Sequence, residues 1–243
     1  MANLYVVATP IGNLGDLSPR ALNTLREVDF ILAEDTRVTK NLLNHFGLET
    51  PILSYHQHSK LSKVDYILGL LKDGKNLALV SDAGTPGISD PGGQLIEAIV
   101  KELPRGQTSG NYPRSDPGVC VVPIPGPSAI TALASIAGFS MDKFLFLGFP
   151  PAKNKRQKFF AEVIDSKYPV IFYESCHRIL KTLTELSVIL RSPQATEKSR
   201  QIVVGRELTK KFETIYRGNI NEVIEAIKKD PTKGEFVAAV DKK

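Results

Sequence analysis

Cysteine is scarce in this chain. Its two cysteines, Cys120 and Cys176, cannot supply a disulfide framework or a Cys-based zinc site. Histidine is scarce too: His56 and His58 lie two apart and face one way on a strand, but no third ligand sits nearby, so no metal site is expected. No apolar run approaches the roughly 20 residues that span a bilayer. The N-terminus lacks a basic n-region, and its apolar run 4–8 stops at Thr9-Pro10, which reads as a first buried strand rather than a signal peptide. The dinucleotide fingerprint GxGxxG and the P-loop GxxxxGK[ST] are missing. So is the nucleophile elbow GxSxG, whose spacing Gly126-Pro127-Ser128 lacks. These absences argue for a cytoplasmic, membrane-free chain that is neither a Rossmann dehydrogenase, a P-loop NTPase nor a serine hydrolase.

What is present is ordinary for a folded protein. With 42% hydrophobic and 23% charged residues, disorder is excluded, and 243 residues suit one large domain or two of ordinary size. The net charge of +5 tilts toward a polyanionic partner such as RNA, a tilt that many basic enzymes share.

Short apolar runs at 4–8, 30–33, 77–80, 119–122, 144–149, 170–173, 202–204 and 236–240 alternate with helical patterns. Runs apolar on both faces fit strands covered by helices on each side. Ser18 followed by Pro19 is a helix start, and Ala21, Leu22, Leu25 and Val28 continue at helical spacing. The class is therefore α/β. A boundary near residues 138–142 divides a first domain, 1–138, with a mostly parallel βα pattern, from a second, 139–243. The second includes strand-like 212–216 and a mixed sheet. Residues 104–118, rich in Gly, Pro, Ser and Asn, read as an inserted surface loop.

Four loops concentrate Gly and Pro directly after strands: 9–14 (TPIGNL), 81–87 (SDAGTPG), 90–93 (DPGG) and 123–128 (PIPGPS). Strand ends line the ligand crevice of an open α/β sheet, and glycine lets backbone approach a ligand closely. One such loop is a turn; four make a backbone-lined pocket. Polar groups also gather at strand ends: Glu34-Asp35-Thr36-Arg37 with Lys40, Glu174-Ser175-Cys176-His177-Arg178, and Gly205-Arg206-Glu207-Leu208-Thr209-Lys210. Capping needs only one polar residue per helix, so these clusters exceed what folding requires. The run 153–158 (KNKRQK) is either a solvated helix start or a phosphate-contacting patch.

Seven of these segments, in this order, carry a resemblance: 4–14 (LYVVATPIGNL), 33–37 (AEDTR), 81–86 (SDAGTP), 125–128 (PGPS), 172–175 (FYES), His177-Arg178 and 206–210 (RELTK). Together they resemble the ribosomal RNA small subunit methyltransferase I family, a branch of the tetrapyrrole methylase superfamily, over residues 4 to about 240. The resemblance implies two αβα domains of the class III methyltransferase type, with S-adenosyl-L-methionine in the interdomain cleft, and a cytoplasmic homodimer. It implies 2′-O-methylation of a cytidine ribose in 16S ribosomal RNA of the small subunit. Carried over residue by residue, cofactor contacts fall on Pro10, Asp82, Gly84, Thr85, Ser128 and Ala129, with Tyr173 from the second domain. Longer members carry a C-terminal helical extension that this chain, ending at Lys243, does not show.

Methyl transfer from a sulfonium is an in-line displacement, so the protein chiefly positions two partners and excludes water. The ribose hydroxyl must lose a proton, and Asp35 or Glu174 is the candidate acceptor by position. Arg37, Lys40, Arg178, Arg206 and Lys210 are candidates for steering RNA phosphate. Two rivals share parts of this reading: a methyltransferase for a tetrapyrrole precursor, and a non-catalytic ribosome assembly factor.

Overall fold

The computed structural model describes residues 2–55, 61–102, 119–190, 200–230 and 233–242. The His56/His58 pair and the inserted loop at 104–118 lie outside the described residues. The chain forms two compact units, Met1–Ser128 and Ala129–Lys243.

The first unit runs β1 (Asn3–Val7), α1 (Pro19–Glu27), β2 (Phe30–Ala33), α2 (Thr36–His45), β3 (Ile52–Ser54), α3 (Leu61–Lys72), β4 (Leu77–Val80), α4 (Gly92–Glu102) and β5 (Cys120–Ile124). Its sheet has the order β3-β2-β4-β1-β5, and every pairing is parallel. One face packs α1 and α2, through Ala21, Leu25, Leu42 and Leu43, on Val7, Ile31, Ala33 and Val80. The other packs α3 and α4, through Ile67, Leu71, Leu95 and Ile99, on Leu4, Leu32, Leu77 and Leu79. Alternate residues of one strand thus serve opposite cores, which explains why the runs are apolar throughout. At α1 the Ser18 side chain accepts from Ala21 N, with Pro19 in the first turn, as expected. Strand β3 has no counterpart in the sequence reading: it is three residues long, follows Pro51 and sits on the sheet edge.

The connections of β1 and β4 diverge. From β1 the chain crosses to β2 over the α1 face; from β4 it crosses to β5 over the opposite face. These adjacent strands are the switch point, where a crevice opens beyond the carboxyl ends of an open α/β sheet.

The second unit runs α5 (Ala129–Ser135), β6 (Leu145–Phe146), α6 (Arg156–Asp165), β7 (Val170–Ser175), α7 (Ile179–Leu190), β8 (Gln201–Arg206), β9 (Thr214–Asn219), α8 (Ile220–Lys229) and β10 (Glu235–Val240). Its sheet order is β6-β7-β10-β8-β9, with only β6 and β7 parallel, so it is mixed. Helices α6, α7 and α8 cover one face around Phe160, Phe172, Leu183, Leu186, Val223 and Phe236. Helix α5 packs on β8 and β10. The division between units therefore falls before this helix, whereas the sequence reading put it after, at the Gly138 turn: a helix of small residues carries no signal of which sheet it covers. The apolar run 144–149 yields only two strand residues. Its backbone bonding to β7 nevertheless continues to Gly148, whose carbonyl accepts from Tyr173 N, before Pro150 and Pro151 remove the donors.

Candidate functional site

In the first unit the loops beyond the strands are tied to one another by backbone. Thr9 N donates to Gly84 O at 2.9 Å and Gly84 N to Thr9 O at 3.1 Å, which joins the loops after β1 and β4 across the switch point. The Thr9 hydroxyl donates to Ser81 O at 3.1 Å, and the Thr85 hydroxyl to Pro127 O at 3.2 Å, which brings in the loop after β5. The loop after β2 joins through Asp35 N, which donates to Asp82 Oδ1 at 3.1 Å. Four strand ends are thus knit into one platform, and they hold Pro10, Asp82, Gly84, Thr85, Asp35 and Arg37 together.

Glycine is required twice here. Gly84 has φ of +83°, and a Cβ on it would lie 3.4 Å from Ile11 Cγ2 and 3.7 Å from Pro127 O. A Cβ on Gly126 would lie 3.0 Å from Ala8 Cβ, which forces a shift. The rim is otherwise uncharged: 9–14, 83–87 and 125–128 carry no ionisable side chain, and Asp82 is the carboxylate beside them. Such a rim offers backbone groups rather than counter-ions. It fits a neutral or weakly charged nucleoside that binds by backbone hydrogen bonds.

Asp35 caps α2, accepting from Arg37 N at 2.8 Å. It also accepts from Arg37 Nε at 3.0 Å and Nη2 at 2.6 Å, a two-pronged ion pair. The guanidinium and then the Arg37 backbone N–H hold the Asp35 carboxyl down at about 2. Arg37 itself is 87% exposed along its side chain. Lys40, one turn on, lines a cleft of about 440 Å³ between α2 and β3, together with Arg37, Asn44, Glu49 and Thr50 and the apolar Leu43 and Leu48.

The second unit gathers its two polar clusters at one end of its three central strands. Glu174 pairs in register with Phe236, which pairs in turn with Arg206, so both charged residues share a row and a face. Both are buried. The Glu174 side chain is 0% exposed. It accepts from Ser175 N and Arg178 Nε, each at 2.8 Å, and from the Thr182 hydroxyl at 2.6 Å. Thr182 Oγ1 in turn accepts from Arg156 Nη2 at 2.7 Å, while Arg156 Nε donates to Glu185 at 2.5 Å. The run 153–158 is therefore divided: Arg156 is buried, and Lys153, Lys155 and Lys158 stay exposed.

Arg206 is 7% exposed, and its Nε has no hydrogen-bond partner. Its side chain bonds to Tyr216, whose hydroxyl donates to Asp230 at 2.7 Å; burial first, and that bond second, raise the phenol above its ordinary range. Lys210 bridges Glu207 at 3.0 Å and Glu235 at 2.9 Å. Burial opposes its charge, but those two carboxylates prevail and raise it. Arg178, Arg206 and Lys210 thus all have protein partners. Tyr173 packs against Phe146, with ring centroids 5.0 Å apart, and against Phe149 at 5.4 Å. Ser128 ends the first unit and Ala129 starts α5 in the second. The buried roles of Arg156 and Thr182, and that of half-buried Glu185, escaped the sequence reading, since charge composition does not say which member of a basic run turns inward. Among the described residues no group of three or more His, Cys, Asp and Glu could hold a metal, and no helix is long and apolar enough to cross a membrane.

Comparison with known proteins gives a consistent result. The family of tetrapyrrole (corrin/porphyrin) methylases matches residues 3–224. The chain is 42% identical over 241 residues to the ribosomal RNA small subunit methyltransferase I of Synechocystis, covering 99% of this chain and 79% of that one. The protein of the same name from Escherichia coli O157:H7 is 41% identical over 98% of this chain and 77% of its own. That from Thermotoga maritima is 38% identical over 243 residues, 100% of both. Among solved structures, a cobalt precorrin-4 methyltransferase superposes with a TM-score of 0.63 at 18% identity, covering 98% of this chain and 94% of its own. A uroporphyrin-III C-methyltransferase from Thermus thermophilus gives 0.60 at 16%, over 99% and 97%. These two establish the fold.

Two outcomes follow from the geometry. Glu174→Ala leaves Arg178 and Thr182 without their buried acceptor and is expected to destabilise the second unit by about 3–5 kcal/mol, read from the urea midpoint. The Asp35 carboxyl, depressed from 3.8 to about 2, is expected to stay ionised well into acid. The stability it lends is complete above its unfolded value and is lost as pH falls toward about 2. Carboxyl-carbon NMR shifts will show this midpoint, and Arg37→Ala will move it upward.

Proposed function

The chain belongs to the tetrapyrrole methylase family, and from that premise we propose that it transfers a methyl group from S-adenosyl-L-methionine to the 2′-oxygen of a cytidine ribose in small-subunit ribosomal RNA. The observation that carries this reading is the identity of 38–44% over nearly the whole chain to proteins named ribosomal RNA small subunit methyltransferase I. The corrinoid and uroporphyrin enzymes share the fold at below 20% identity, which lends no support to a tetrapyrrole substrate. The reading includes a homodimer and a cytoplasmic location, as the family resemblance implies.

The knit strand ends of the first unit suit the cofactor. Gly84 leaves open the space a Cβ would fill, and Pro10, Thr85 and Ser128 belong to loops that present backbone. When bound, S-adenosyl-L-methionine supplies an electrophilic methyl on a sulfonium whose charge disappears as the methyl leaves. A rim without fixed counter-charge does not hold back that neutralisation. Asp82 is tied to Asp35 N, so it braces the loop after β2.

Asp35 is the better of the two proton acceptors. A carboxylate held at about 2 is a weak base toward a free hydroxyl. The ribose oxygen, however, becomes strongly acidic as it gains its third bond, so a weak base in hydrogen-bond reach suffices for a late proton transfer. Glu174, enclosed by Ser175 N, Arg178 and Thr182, has a positioning role. Arg178, Arg206 and Lys210 fix that end of the sheet in the second unit, while Arg37 and Lys40 remain the phosphate-steering residues of the first.

Small ribosomal subunits lacking the modification, incubated with tritiated S-adenosyl-L-methionine, are expected to take label on one ribose 2′-oxygen. Cofactor binding without label on RNA would refute the reading. Asp35→Asn is expected to lower the single-turnover rate roughly 100-fold or more with cofactor affinity unchanged. An unaltered rate would remove Asp35 from the mechanism.

A further inference from the structure

Phe149 is 51% exposed in a loop held at two of its carbonyls. Its ring leans on Tyr173, with centroids 5.4 Å apart and the planes tilted by 52°. Lys153 and Lys155 in the same loop and Lys158 in the first turn of α6 are exposed, and their side chains make no ion pair or hydrogen bond among the described residues. Residues 149–158 (FPPAKNKRQK) contain no carboxylate. A half-exposed aromatic ring followed within nine residues by three exposed lysines and no carboxylate is complementary to one kind of partner: an unstacked base between phosphates.

The loop is built from beneath. Arg178 Nη1 donates to Pro150 O and Arg156 Nη1 to Pro151 O, both at 3.0 Å. Those two arginines are themselves held by Glu174, Thr182 and Glu185. Buried Glu174 and Arg156, with half-buried Arg178 and Glu185, thus converge on the two carbonyls that follow Phe149. Burying ions is costly, and here the expense fixes an exposed surface rather than a core.

We propose that Phe149 with Lys153, Lys155 and Lys158 is a docking platform for a single-stranded segment of the RNA substrate. A base stacks on the phenyl ring, and the flanking phosphates meet the lysines. The proposal rests on the functional reading above and names a substrate-binding surface that the reading leaves open. It gives the second unit an RNA contact that Arg178, Arg206 and Lys210, all engaged within the protein, do not provide.

The test uses the full chain and a short fluorescein-labelled single-stranded RNA, with affinity followed by anisotropy as salt is varied. Phe149→Ala is expected to weaken binding roughly tenfold with the salt slope unchanged, and Phe149→Trp to restore it. Replacing the three lysines by alanine is expected to reduce the slope of log K against log salt by about 2, at about 0.7 per phosphate contact. The thermal midpoint should hold in the lysine variant, whose replaced side chains make no ion pair or hydrogen bond, and in Phe149→Trp, which keeps a ring against Tyr173. Wild-type affinity in both variants, or a wild-type chain that does not bind the oligonucleotide, overturns the platform. Methyl transfer to small subunits is read separately. If wild type methylates them and both variants retain its KM, the platform fails while the functional reading stands. If wild type binds the oligonucleotide through these residues yet methylates no RNA, the functional reading fails while the surface stands.

Discussion

Strands covered by helices on both faces have nowhere to place polar side chains except at their ends, and that constraint shapes the first unit. Leu4, Leu32, Leu77 and Leu79 serve one core; Val7, Ile31, Ala33 and Val80 serve the other. Chemistry is displaced to the loops beyond. There the connections of β1 and β4 diverge, and the Thr9–Gly84 bridge fastens the crevice they would otherwise leave loose. The Asp35–Asp82 bond brings in a third loop and the Thr85–Pro127 bond a fourth. The platform is rigid because every link has backbone at one end or both, and the side chains that complete the others, Thr9, Thr85 and Asp82, are short and lose little entropy on being fixed.

The second unit meets a different requirement. Its mixed sheet is also covered by helices, yet the unit buries Glu174 and Arg206 at one end of the central strands and Arg156 at the start of α6. A buried carboxylate is tolerable when its acceptor positions are filled, and Glu174 has Ser175 N, Arg178 and Thr182. Arg206 is less completely served, with an unpartnered Nε beside a loop in which Glu207 and Thr209 hold φ of 52° and 66°. Non-glycine residues in the left-handed region carry strain that their surroundings must impose. The Lys210 bridge to Glu207 and Glu235, and the bond from Thr209 N to Glu213, impose it. This end is therefore a stiff, strapped construction, consistent with a part that presents a surface.

Much of the fold was legible because burial writes itself into periodicity. Runs such as 30–33 and 77–80 coincide with β2 and β4, and Ser18-Pro19 opens α1 by capping as read. Strand β3 was not legible, since three residues after a proline at a sheet edge are too few to show alternation. The candidate site was legible at its loops, where glycine answers a backbone need: Gly84 takes φ of +83° in the motif that drew attention to it. The polar residues read less faithfully. Sequence places Glu174, Arg178 and Arg206 at strand ends and stops there. Whether each turns toward solvent depends on partners such as Thr182 and Tyr216, which lie on other elements and look unremarkable in the sequence.

That distinction changes what the excess positive charge can do. The basic residues in the most recognisable motifs, Arg178, Arg206 and Lys210, are bound to the protein's own groups, so they add little to the field outside. Those in the unassuming run 153–158 are split by a single buried arginine into an anchor and three free lysines. Free cations, not formal charge, meet a polyanion and release its counter-ions. A motif match thus marks residues that must be kept, and the structure separates those kept for shape from those kept for contact. In this chain the two kinds are mechanically joined: Glu174 holds Arg178 and Thr182, these position Pro150 and Arg156, and the exposed ring of Phe149 stands on the result.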